Sequence, residues 1–337
     1  MSKFRKNITT LLSCGSSLIP FSIWKKASDF ITILPFYHVI SDEYLPHIQH
    51  LYPVKNVNSF IEDLDFLLKH FEAIDLQTFR KHQKEGTQPV KHSFLLTFDD
   101  GLREFYEVIA PILLKKGIPS VCFLNSAFVD NKDLFFRYKV SLLIEEVSND
   151  SDKSGVLQDR LRIQNVKNEL LRLTYDDIGK IDEMALAINL DFKKFLKEKS
   201  PYLTSEQIKS LIGQGFSFGG HSVDHPEYRF VGIEEQIRQT KDSVDFVQNN
   251  FKTTERVFSF PFTDYQVHET FYKRIMDEKI AEFTFGSAGL KHDPTEINFQ
   301  RIPMEVEDLA ARRILSAEYL YYLLKKPLGK NSISRNG

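Results

Sequence analysis

Cysteine is scarce in this sequence and charge of either sign is nearly balanced. Among 337 residues there are two cysteines, Cys14 and Cys122. They lie far apart, which argues against a disulfide framework and suits a reducing compartment. Lys and Arg number 44 against 46 Asp and Glu, a formal net charge of −2. That leaves no strong basic field to gather nucleic acid or an acidic polymer, so no nucleic-acid partner is expected. No apolar run is long enough to span a bilayer. There is no internal repeat and no low-complexity tract. What remains is 42% apolar and 27% charged, ordinary for a globular protein of one large domain or two small ones.

Residues 1–30 read as an amphipathic lead-in. Lys3, Arg5 and Lys6 precede a mildly apolar stretch, Ile8 to Phe21, interrupted by Ser13, Gly15, Ser16 and Ser17. Ile23, Trp24 and Phe30 would pack on the domain or touch a membrane surface. The alternative is an exported lipoprotein, with Leu11-Leu12-Ser13-Cys14 imitating a cleavage site, although the apolar core before Cys14 is very short.

From Ile31 the chain alternates strand and helix signals. Ile31 to Tyr37 reads as a strand, and Ser59 to Glu62 matches a capping box before a helix that runs to about Phe71. Ser93 to Phe98 reads as a buried strand, Leu102 to Lys116 as a helix closed by Gly117, and Pro119 to Asn125 as another buried strand. This β-α-β rhythm favours a parallel sheet. From about 131 to 203 it gives way to helical patterns, an insertion that covers one face of the domain. It resumes with a helix capped by Thr204 and Gln207. Strands follow near Phe216 to Gly219, Arg256 to Phe260 and Glu282 to Phe285, with helices between them. Val306 to Lys326 closes the domain as a long helix, and 328–337 read as a disordered tail.

Two stretches carry chemistry. Ser93-Phe-Leu-Leu-Thr-Phe-Asp-Asp-Gly101 is a buried strand that ends in Asp99 and Asp100. Neighbouring side chains at a strand end point apart, so one acid can bind a metal while the other faces substrate or water. Gly101 lets the chain turn tightly. The same pair would also serve simply to cap the next helix. The second stretch is Gly219-Gly-His-Ser-Val-Asp-His-Pro226. His221 and His225 are four apart and sit where a strand ends. Two histidines and one carboxylate form a recurrent ligand set for catalytic zinc or ferrous iron.

Thr97-Phe98-Asp99-Asp100-Gly101 followed by His221-Ser222-Val223-Asp224-His225 resembles the first two motifs of the polysaccharide deacetylase family. Phe36-Tyr37-His38-Val39 resembles the strand end found before the first motif in many members. Phe258-Ser259-Phe260-Pro261-Phe262 resembles the third, an aromatic-proline-aromatic segment. The resemblance implies an α/β fold, a distorted (β/α) barrel with the helical insertion, covering 31–327. It implies Asp100, His221 and His225 as ligands of a divalent transition metal, with zinc favoured and cobalt, manganese or iron as alternatives. It implies Asp99 as general base and the Phe262 N–H as part of an oxyanion hole. Leu290-Lys291-His292 matches the family's last motif, which makes His292 the general acid, with His38 as its rival. Tyr37, His38, Pro261 and Tyr265 are the candidate substrate contacts. One departure stands out. Many members carry an arginine at the position of Ser259 that orients the catalytic Asp, and Arg301 is the candidate to replace it from another strand.

The implied activity is hydrolysis of an N-acetyl group on an amino sugar, in a surface polysaccharide or its lipid-linked or nucleotide-linked precursor. O-deacetylation and deformylation would use the same centre. A catalytically inactive sugar-binding protein is a further alternative, supported by the missing arginine. The expected location is the cytoplasm or the membrane surface, with an exported lipoprotein as the alternative.

Overall fold

The computed structural model describes residues 3–161 and 165–335. Among these are eleven short strands: β1 (Thr32–Ile33), β2 (Pro35–Tyr37), β3 (Glu72–Ala73), β4 (Ser93–Phe94), β5 (Leu96–Phe98), β6 (Ser120–Leu124), β7 (Ser217–Gly220), β8 (Val257–Ser259), β9 (Phe283–Gly286), β10 (Asn298–Gln300) and β11 (Ile302–Pro303). Eight of them form one parallel sheet in the order β10-β9-β8-β7-β6-β5-β2-β11. Its edge strands are successive parts of one extended segment, separated only by Arg301. The segment pairs first with β9 (Asn298 beside Thr284) and then with β2 (Ile302 beside Pro35). The two edges therefore meet, and the sheet is a nearly closed barrel with helices around it. The smaller sheet, in the order β1-β4-β3, lies at the N-terminal ends of β2 and β5.

The barrel strands are buried on both faces, as their unbroken apolar runs require. In the run that leads into and through β5, Phe94, Leu95, Leu96 and Phe98 are all buried, with no inside–outside alternation. Gly220 permits close packing on the helix Ile233–Phe251, since a Cβ there would lie 2.7 Å from Ser243 Oγ and 2.9 Å from the Val244 nitrogen. The closing helix, Ala311–Lys325, is held at its start by buried Asp63, whose Oδ1 accepts from the Ala311 N–H at 2.6 Å. Lys55 pairs with the same carboxylate.

Several boundaries differ from the sequence reading. The helix after β2 spans Val57–His70 and is capped by Asn56, which accepts from the Ser59 N–H, so Ser59 lies inside the helix. Asn56 won because its side-chain amide oxygen reaches the third residue on, as an N-cap does. The Thr204–Gln207 capping box forms as read. The segment after Gly101 opens with a π-helical stretch, Phe105–Ile109, before the regular helix Ala110–Lys116. Such widened turns recur beside functional sites.

The insertion between β6 and β7 is helical. It has its own apolar core, in which Tyr138, Leu143, Leu170 and Ile181 pack with Val39, Leu45 and Ile48 of the loop after β2. The tail corrects an expectation. Residues 331–335 run along the loop after β9, and buried Arg335 pairs with Asp264 and Asp293. A single buried arginine that meets two carboxylates fixes a segment whose composition reads as free. Residues 336–337 lie outside the described residues.

Candidate active site

The site forms where β2, β5, β7, β8 and the β10–β11 segment end. Asp99 and Asp100 leave β5 in different directions, as the pleat and the turn at Gly101 (φ 63°) dictate. Asp100, at φ 72°, turns to the end of β7, where His221 and His225 Nε2 lie 3.4 and 3.3 Å from its Oδ1. The ligand atoms of these three buried residues lie within 4.8 Å of one another, close to the span across one ion with ligands at about 2.0–2.2 Å.

The chemistry of this cluster fits a metal. Asp100 Oδ1 is buried and has no hydrogen-bond partner among the described residues, a costly state for an anion unless a cation meets it. His221 Nδ1 lies 2.8 Å from the Ser259 carbonyl oxygen. A carbonyl only accepts, so Nδ1 carries the proton and Nε2 keeps its lone pair for a ligand bond. Burial pushes the Asp100 carboxyl up, but the adjacent imidazoles of His221 and His225 outweigh it and hold it well below the usual range. Burial lowers His225, which favours neutral imidazole. A deprotonated carboxylate with neutral imidazoles is the state metal binding needs. Asp100 Oδ2 accepts from Tyr138 of the insertion at 3.0 Å, and the His225 ring packs 4.2 Å from that of Phe135.

Asp99 faces the other way, into a cradle built by Arg301. This guanidinium is fully buried and grips both carboxylate oxygens, Nη1 to Oδ1 at 2.8 Å and Nη2 to Oδ2 at 2.6 Å. Its remaining donors go to Ser259 Oγ at 2.6 Å, Thr97 Oγ1 at 3.1 Å and the Gly286 carbonyl at 3.2 Å. Burial raises the Asp99 carboxyl, but the charge of Arg301 outweighs it and holds it below its ordinary value. The arginine absent at Ser259 is thus supplied by Arg301, and its charge lands beside Ser259. This removes the sequence-level support for an inactive sugar binder.

The two candidate histidines lie in different places. His38 Nδ1 lies 2.5 Å from Glu305 Oε2, while Glu305 Oε1 accepts from the N–H groups of His38 and Val39, each at 3.0 Å. Burial pulls His38 down, but Glu305, with Asp100 and Asp99, outweighs it and raises the pKa to about 9. His292 is elsewhere. Its ring stacks on Phe30 at 4.5 Å, and its Nε2 lies 3.1 Å from Tyr322 Oη and 3.3 Å from Asp29. Asp29 and Phe30 precede β1, at the opposite end of the barrel from the site. The motif match at 290–292 falls in the long loop between β9 and β10, which carries it away.

Tyr37 also leaves the site. It is buried between β2 and the helix Val57–His70, with its hydroxyl donating to Asp63 at 3.0 Å. Next to His38 on a strand, it must face the other side. Pro261 is buried. Phe262 turns at φ 56° and packs its ring 4.7 Å from that of His225, and its N–H has no backbone partner among the described residues. Asp100, Ser222, His225 and Phe262 all sit at positive φ, a concentration of backbone strain of about 1–3 kcal/mol each. Exposed Tyr265 lines a cleft of about 650 Å³ with Glu227, Arg229 and Ser287. The cleft meets the site through Phe262; Asp99, Asp100 and His221 are not among its walls.

Glu305 and Tyr138 escaped the sequence reading. Glu305 had a usable signal, an acid two residues past a short apolar strand, much as Asp99 and Asp100 follow β5. Tyr138 had none, because an insertion helix gives no hint of which residue reaches the barrel.

A model of the polysaccharide deacetylase family matches residues 86–272. Among solved structures the chain is similar to a Streptococcus pyogenes deacetylase, PplD, in complex with acetate, with 14% identity and a TM-score of 0.56 over 85% of this chain and 97% of that one. It is similar to IcaB from Ammonifex degensii, at 13% and 0.53 over 85% and 97%. It is also similar to a de-N-acetylase from Aggregatibacter actinomycetemcomitans, at 13% and 0.53 over 82% and 95%. These likenesses are of fold. No curated protein sequence matches. The matched segment holds Asp99, Asp100, His221, His225 and Phe262, whereas His38, Arg301 and Glu305 lie outside it and reach the site through the closure of the barrel. With its family motifs gathered at the strand ends of the family's barrel, the chain belongs to the polysaccharide deacetylase family.

Proposed function

We propose that the protein is a metal-dependent hydrolase that removes an N-acetyl group from an amino sugar in a polysaccharide or its precursor. The observation that carries this reading is the His38–Glu305 pair beside the Asp99–Arg301 pair at the Asp100–His221–His225 cluster. Asp100, His221 and His225 would hold the ion, zinc by preference. When bound, the metal supplies Lewis acidity, polarising the acyl carbonyl and making water acidic enough to lose a proton near neutral pH.

Asp99 accepts the proton of the attacking water. Arg301 keeps it ionised and fixes both oxygens, so its lone pair is aimed before substrate arrives. The Phe262 N–H donates to the oxyanion as the carbonyl becomes tetrahedral. His38, held protonated by Glu305, gives its proton to the leaving nitrogen. Amines leave poorly unless protonated, and a histidine held at about 9 is charged at neutral pH. That acid favours an amide over an ester substrate, since an alkoxide leaves with less help. The fold likeness to a protein described as a de-N-acetylase agrees with it. The 650 Å³ cleft beside Phe262 is within the range of about 300–1,000 Å³ of ligand sites, and Tyr265 there offers a face for a sugar ring.

The test is release of acetate from N-acetylglucosamine oligomers, measured beside O-acetylated and N-formylated sugars. Turnover of the N-acetylated substrate, abolished by a chelator and restored by zinc or cobalt, is the expected result. Turnover confined to O-acetyl esters would overturn the amide reading. The proton donor has its own signature. In Glu305→Gln the charge that raises His38 is gone, so its pKa falls from about 9 towards the ordinary 6.5. The acid is active when protonated, so the alkaline limb of kcat/KM should move to lower pH. A limb that stays in place would remove His38 from the role.

A further inference from the structure

The N-terminal helix, Lys3–Ser16, packs with its small polar side chains inward. Thr9, Ser13 and Ser16 are buried, and their spacing places them on one face. That face meets the closing helix Ala311–Lys325, where Arg313 Nη2 donates to Ser13 Oγ at 3.1 Å and Arg312 Nη2 to the Ser17 carbonyl at 2.9 Å. Of the apolar side chains, Ile8 and Leu12 are half-buried, while Leu11 and several that follow the helix point outward. Leu11 is 75% exposed, Leu18 82%, Ile19 37% and Ile23 52%. A helix that only covered a domain would bury its leucines and expose its serines.

This hairpin is anchored. In its second helix, Phe21–Ala27, Phe21 packs its ring 5.0 Å from Phe66 and 5.5 Å from Tyr319, and Trp24 Nε1 donates to the Ser16 carbonyl at 3.1 Å. The outward leucines and isoleucines are therefore presented by a fixed element. The sequence of this segment carries one sign of charge. Residues 1–28 include Lys3, Arg5, Lys6, Lys25 and Lys26 and no aspartate or glutamate, in a chain of net charge −2.

We infer that this N-terminal hairpin is a docking face for an anionic lipid bilayer. Apolar side chains enter the boundary between headgroups and acyl chains, while exposed Lys26 and the basic residues at the start of the sequence meet anionic headgroups; Lys25 is turned inward, donating to the His70 carbonyl. No helix among the described residues is long and apolar enough to cross a membrane, so the contact is peripheral. The opposite side of the same helix has a second consequence. Ile8, Thr9 and Leu12 line the cleft that reaches Phe262. Docking brings that cleft to the bilayer surface, where a carbohydrate carried on a lipid would be presented to the site. This extension rests on the deacetylase reading; the docking does not.

The experiment is flotation of the full chain with vesicles of phosphatidylcholine alone and of phosphatidylcholine mixed with phosphatidylglycerol. Binding to the anionic vesicles is expected, weakened by salt. The triple variant L11D/L18D/I23D should lower the bound fraction about tenfold or more with an unchanged melting temperature, because all three side chains are exposed. Absence of flotation with anionic vesicles, or equal flotation of the triple variant, would overturn the proposal. So would a concentration-dependent dimer that the triple variant abolishes, which would assign the face to a second copy. Flotation is read without substrate, so its failure leaves the deacetylase reading untouched.

Discussion

Asp99→Asn should lower kcat by about 10²–10⁴-fold, the usual contribution of a positioned general base, with metal affinity retained. The proposed ligand set is Asp100, His221 and His225, and none of these changes. The substitution has a structural cost as well. Arg301 is buried against Asp99, and an asparagine would leave its charge uncompensated, so the variant should also melt lower. Asp99→Glu separates the two effects. It keeps the charge balance but moves the carboxylate by one methylene, so its stability should recover more than its turnover. Metal stoichiometry, melting temperature and acetate release, measured on all three proteins, decide the matter. Near-normal turnover in Asp99→Asn would reduce Asp99 to half of a structural ion pair. Loss of the metal would place it among the ligands.

The Asp100–His221–His225 cluster was legible because its parts are local. A carboxylate at the end of a buried strand and a pair of histidines four apart at the end of another are patterns that a linear reading can hold. The barrel needed only to bring β5 and β7 to the same rim, which parallel strands do. The Asp99–Arg301 and His38–Glu305 pairs were harder to read, because their parts come from three separate strand ends. Asp99 leaves β5, His38 leaves β2, and Arg301 and Glu305 flank β11. They meet only because the 298–303 segment exchanges β9 for β2 and draws the sheet edges together. Two strands of three and two residues have too little periodicity to announce themselves.

His292 shows the opposite failure. A two-residue match to a motif places it in the site, but the placement is set by where the loop goes. After β9 that loop runs to the far end of the barrel and docks on Phe30 and Tyr322. The tail is similar. Polarity and a terminal position read as disorder, yet Arg335 finds Asp264 and Asp293, which are distant in sequence. Composition records what a segment could do alone and is silent about a buried partner that arrives from elsewhere.

Arg301 carries the second large expectation. Arg301→Ser should destabilise the fold by about 3–5 kcal/mol, because it strands the Asp99 carboxylate in a buried site. Turnover should fall with it, since the base loses its orientation. Arg301→Lys should restore part of the stability and little of the rate, because an ammonium keeps the charge and loses the two-pronged grip on Oδ1 and Oδ2. The geometry also offers a rescue. Ser259 Oγ lies 2.6 Å from Arg301 Nη2, so the β8 position at which the family resemblance leads one to expect an arginine already points at the guanidinium. The double variant Ser259→Arg/Arg301→Ser should therefore be more stable and more active than Arg301→Ser alone. Ser259→Arg by itself should be destabilising, because it forces a second cation into an occupied cradle. Opposite effects of one substitution in two backgrounds are the mark of direct coupling. A complete cycle of melting temperature and kcat tests it. Additive losses would mean that Arg301 supports the barrel seam without positioning the base. Recovery in the double variant would mean that the site requires a guanidinium at this point in space and accepts it from either strand.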